Sequence, residues 1–171
     1  MRLATLAVVV CCLTAGCLGF GGQPADTTQD VQLSVDNAAD EAYDVRVSVV
    51  PGDVTNVRFV YANGTTRVRP TTDLTGVSPS QLTNVTDVVL AGANVTSDEI
   101  RVPANSGIGT TLSDVEPGAS VWLVVRATTG ESRVRTWAQF SCRPETALVR
   151  ADLTIGGDGT IALATECRSA A

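Results

Sequence analysis

The chain has 171 residues and a formal net charge of −6, with 12 arginines, 18 acidic residues, no lysine and no histidine. The missing histidine excludes blue-copper sites, histidine-liganded zinc and Ser-His-Asp catalysis; the missing lysine excludes Schiff-base and Ser-Lys chemistry. An acidic balance with no basic cluster also argues against nucleic acid as a partner, because phosphate binding needs concentrated positive charge.

The N-terminus sets the address. Arg2 precedes an uncharged run, Leu3 to Leu13, rich in Leu, Ala and Val. That run is too short to span a bilayer, which takes about 20 apolar residues. Small residues then lead into Cys17, as a processing site requires. The stretch Leu13-Thr14-Ala15-Gly16-Cys17 resembles the lipobox of prokaryotic lipoproteins. The resemblance implies a signal peptide over residues 1–16 and a diacyl or diether lipid on the Cys17 sulfur. The domain would then be exported and held on the outer face of the cell membrane, with membrane lipid as its first partner. The other reading is a secretory signal cut near Ala15 or Gly16. Residues 17–30 carry the lipidated cysteine and a tether rich in Gly, Thr and Asp. As a random coil the tether reaches about 20 Å.

From Val31 to residue 171 the period is that of strands. Val31, Leu33 and Val35 alternate with polar residues, and Tyr43, Val45, Val47 and Val49 do the same before Pro51-Gly52. In residues 57–70, Asn63-Gly64 between two strand-like arms predicts a hairpin. Residues 71–98 are the hardest to read; Ser78-Pro79 suits a short helical turn and Val85–Leu90 a strand. Residues 112–132 place an apolar strand, Val121, Leu123 and Val125, after Pro117-Gly118. This run resembles the E–F corner and F strand of fibronectin type III and related immunoglobulin-like sandwiches, with Val121 where that family usually has its corner tyrosine. Further on, Val134, Thr136, Ala138, Phe140 and Cys142 share one face, and Arg133, Arg135, Trp137 and Gln139 the other. Ala147, Val149, Ala151, Leu153 and Ile155 point inward, Gly156–Gly159 turns the chain, and Ile161, Leu163 and Cys167 point inward again. No helix-length apolar period follows residue 30. The expected fold is all-β: one antiparallel immunoglobulin-like β-sandwich of about eight to ten strands, the estimate resting on these runs.

Composition adds the setting. Asp outnumbers Glu by 12 to 6, and every basic residue is arginine. This resembles exported proteins of extreme halophiles, where carboxylates keep their hydration and repulsion is screened, the Debye length being about 3 Å at 1 M salt.

Cys11 and Cys12 lie in the apolar leader, leaving Cys142 and Cys167 as an even pair in an oxidising compartment. Both share a phase with inward residues. In a flat up-down-up meander they would sit about 9.6 Å apart, two strand spacings, whereas a disulfide needs Cα atoms within about 7 Å. The bond therefore requires the last strand to cross to the facing sheet, or a coil end to fold back. Asn63, Asn84 and Asn94 head Asn-x-Ser/Thr sequons, candidate glycosylation sites on an exported surface. Trp137 with Arg133 and Arg135 is the candidate partner-binding patch, since aromatic and arginine anchors are enriched at interaction hot spots. The alternative is a rim residue covered by a loop. Asp158 in Gly-Gly-Asp-Gly reads as a hairpin turn before a Ca²⁺ ligand, so no metal or cofactor is expected.

No catalytic constellation emerges, and the chain reads as non-enzymatic. The expected function is a lipid-anchored cell-surface domain that binds or scaffolds an unknown envelope protein or glycan. The alternatives are a ligand-binding accessory of a transporter and a purely structural envelope lipoprotein.

Overall fold

The computed structural model describes residues 28–52, 54–71, 82–91, 95–129, 133–143 and 145–169. Cys17, the tether as far as residue 27, Ser78-Pro79 and Asn94 lie outside the described residues. Within them are eleven strands and no α-helix: β1 (Gln29–Asn37), β2 (Tyr43–Val50), β3 (Asn56–Tyr61), β4 (Thr66–Pro70), β5 (Val85–Ala91), β6 (Thr96–Val102), β7 (Ser106–Val115), β8 (Ser120–Ala127), β9 (Val134–Phe140), β10 (Thr146–Ile155) and β11 (Ile161–Ser169). They form a back sheet, β11-β10-β1-β7, a central sheet, β6-β2-β8-β9, and a front sheet, β4-β3-β5.

The back and central sheets make the immunoglobulin-like sandwich. Their shared core holds Val31, Leu33 and Val35 from β1, Val45 and Val47 from β2, Val121, Leu123 and Val125 from β8, and Leu153 and Ile155 from β10. The alternation read from the sequence sets these faces. All pairs are antiparallel except β1 with β10, which run parallel at the centre of the back sheet.

The front sheet adds a third layer. β8 is buried on both faces: Trp122 and Val124 turn away from the sandwich core onto Val57, Phe59, Val85 and Val88. The Trp122 indole N–H donates to Ser120 Oγ at 3.0 Å, so this buried nitrogen is satisfied. Arg46 reaches from β2 to pair with Asp87 of β5 at 2.8 Å, joining the central and front sheets.

Two β-bulges move residues from the faces that simple alternation assigns. In β9, Arg135 is the extra residue between Val134, opposite Arg126, and Thr136, opposite Val125. Val134 therefore joins the second core, while Ala138 and Phe140 stay in the first. In β10, Val149 is the extra residue, so Leu148 takes the inward position expected of Val149. The strand count exceeds the expected eight to ten because β6 and much of β7 carry no strong apolar period. Four successive residues of β6 are exposed, and β7 spaces its half-buried Ile108 and Leu112 among Gly and Thr.

Candidate functional site

The disulfide forms, with Cα atoms 6.0 Å apart. Geometry permits it because the chain crosses sheets between Phe140 and Thr146: β9 lies in the central sheet, β10 and β11 in the back sheet. Cys142 and Cys167 thus staple one side of the sandwich. β11 needs the staple, since all its residues after Ile161 are exposed and Leu163 keeps 49% of its surface.

The residues of the Trp137 patch are divided. Trp137 is half-buried and stacks on Trp122, ring centroids 5.4 Å apart with planes 17° from parallel. The front sheet covers much of this face, which is why Trp137 packs against the second core. The bulge sends Arg135 elsewhere: its guanidinium pairs with Glu41 at 3.2 Å. Arg133 is exposed and is itself engaged in an interaction. The three do not form one open aromatic–arginine surface.

Arg135 instead joins a polar knot that the sequence did not signal. Glu41 Oε1 accepts from the Tyr43 hydroxyl at 2.8 Å and from Arg135; Oε2 accepts from Thr129 Oγ1 at 3.0 Å. The Tyr43 hydrogen bond, then those of Thr129 and the Arg135 charge, hold the Glu41 carboxyl below its ordinary value against the opposing pull of desolvation. Burial, then the bond to Glu41, pushes the Tyr43 phenol up to about 12. The knot borders an open concavity of about 950 Å³ that reaches Asp158 and Ile161. Asp158 Oδ1 accepts from Thr160 N at 3.0 Å and Thr160 Oγ1 at 2.6 Å, which fixes it as a turn residue.

The front sheet brings two sequons together. Asn63 and Asn84 are both exposed and line one concavity of about 580 Å³. Ala62 N–H donates to the Asn84 carbonyl at 2.8 Å, which joins the β3–β4 turn to the start of β5. Asn63 Oδ1 accepts from Thr65 N and Oγ1, the same arrangement as in the Asp158 turn. Asn84 sits at φ 71°, a left-handed position that asparagine tolerates.

On the side opposite the disulfide, β6 and β7 are edge strands of different sheets, joined at the Pro103–Asn105 corner. A cleft of about 790 Å³ lies between them, floored by apolar side chains such as Ile100 and Leu112. Among the described residues, no group of three or more Asp, Glu or Cys side chains stands close enough to hold a metal ion. The chemistry available in these places is recognition through strand edges, concavities and exposed amides.

No curated protein and no solved structure matches the chain. A family model described as "Halobacterial Ig domain protein" matches residues 1–171. The lysine-free, aspartate-rich composition and the immunoglobulin-like sandwich fit that description. The chain belongs to the halobacterial Ig domain proteins.

Proposed function

We propose that this chain is a lipid-anchored, non-enzymatic domain of the cell surface that binds or scaffolds another envelope component. The observation that carries the reading is the Cys142–Cys167 bond. Disulfides persist on the oxidising side of a membrane. With those two paired, and Cys11 and Cys12 inside the apolar leader, Cys17 is the cysteine left over, and it stands in a lipobox-like sequence. Two lipid chains, at about 0.8 kcal/mol per buried CH₂, hold such a domain firmly.

The same reading assigns glycans to the exposed Asn63 and Asn84 at the end of the front sheet. There they would hydrate the layer farthest from the sandwich core. Metabolic labelling with a radioactive lipid precursor, in cells expressing the unmodified chain or the Cys17→Ser variant, tests the anchor. Label is expected on the unmodified chain and is expected to be lost in the variant. An unmodified chain without label, or equal label on both, would overturn the reading.

A further inference from the structure

We propose that the outer edge of β4 in one copy docks into the cleft between β6 and β7 of the next, giving head-to-tail assembly of this chain. The cleft offers two strand edges, since among the described residues β6 pairs only with β2 and β7 only with β1. An edge strand is a template for a further strand unless something guards it. The guard here is selective. Asp98 lies on the core-facing side of β6, directly opposite Val47, and Asp114 and Glu116 complete an acidic rim. None of the three has an ion-pair partner among the described residues. Inward carboxylates repel a neutral or acidic strand and admit a basic one.

The chain carries that complement. β4, Thr66-Arg67-Val68-Arg69-Pro70, is one of the two edge strands of the front sheet among the described residues and holds two arginines and no carboxylate. Arg67 lies opposite Phe59 and Arg69 opposite Val57, so both share the inner face of that sheet. Neither forms an ion pair among the described residues. Val68 lies on the other face, opposite Arg58, and stays outside the contact. On docking, the Arg67 and Arg69 stems lie over Ile100 and Leu112 while their guanidinium groups meet the rim carboxylates. In brine only direct pairs survive, because the Debye length is about 3 Å at 1 M salt. The contact joins different surfaces, so it propagates instead of closing as a dimer.

The test is sedimentation of the detergent-extracted full chain in concentrated KCl at rising protein concentration. The unmodified chain is expected to grow beyond the dimer. Arg67→Glu with Arg69→Glu, or Asp98→Arg with Glu116→Arg, should each raise the dissociation constant by at least about tenfold. An equimolar mixture of the two reversed variants should associate again. Near-UV dichroism of the Trp122–Trp137 stack reports folding, and the milder Arg67→Gln and Asp98→Asn should rank between. An unmodified chain that stays monomeric throughout, or a mixture of folded variants that does not associate, overturns the proposal.

Discussion

Glu41 receives three donors on two oxygens, and the knot around it makes stability depend on pH from both ends. Its folded-state value lies below the ordinary 4.5. Its contribution is therefore complete above about 4.5 and is lost as pH falls through the depressed folded value. Tyr43 has the opposite sign: its contribution is complete below 10 and is lost as pH rises through about 12. Thermal unfolding across pH should show the acid limb flattened in Glu41→Gln and the alkaline limb flattened in Tyr43→Phe. Unchanged limbs in both would mean that the knot does not hold in solution. Asn37 is a second local clamp. It is buried, and its amide donates to Glu41 O at 2.9 Å and Pro103 O at 2.8 Å while its Oδ1 accepts from Ala39 N. Asn37→Ala strands these groups and should cost about 2–3 kcal/mol in denaturant unfolding.

At the scale of elements, the strands differ in what holds them. β8 is packed on both faces, whereas β11 rests on one ladder and the disulfide. Amide exchange should therefore be slowest in β8 and should approach solvent rates in β11 after reduction. Replacing Cys142 by Ser opens a loop closed over a separation of 25 residues and should cost about 3.5 kcal/mol on the chain-entropy model. Trp137→Ala removes half of the stacked pair that helps seat the front sheet, at about 2 kcal/mol given its partial burial. The strands whose apolar residues alternate, β1, β2 and β8, were legible in the sequence, as was the Asn63-Gly64 hairpin, where Gly64 adopts φ 79°. β6 was not, because its core-facing positions hold Thr96 and Asp98 before Ile100 and Val102, so only two apolar residues mark the period. The bulges at Arg135 and Val149 were illegible for another reason: one unpaired residue flips the phase without changing composition. That shift is what separated Arg135 from Trp137.

At the scale of the molecule, the third layer is the main feature that the sequence did not signal. Trp122 and Val124 sit between inward residues of β8, and a strand apolar on both sides implies a cover without saying which segment supplies it. The front sheet is that cover, built from β3, β4 and β5, and it presents both Asn63 and Asn84 at one end. The cysteine pair was legible because its constraint was geometric: a bond between Cys142 and Cys167 demanded a crossing, and the crossing between β9 and β10 is there.

The central claim, a lipid-anchored exported domain closed by one disulfide, is tested most directly by intact mass of the membrane-extracted chain before and after reduction. The account predicts a chain beginning at Cys17 with a lipid increment and a gain of about 2 Da on reduction, with any added hexose mapping to Asn63, Asn84 or Asn94. An unlipidated mass recovered from the medium, or no gain on reduction, would contradict it.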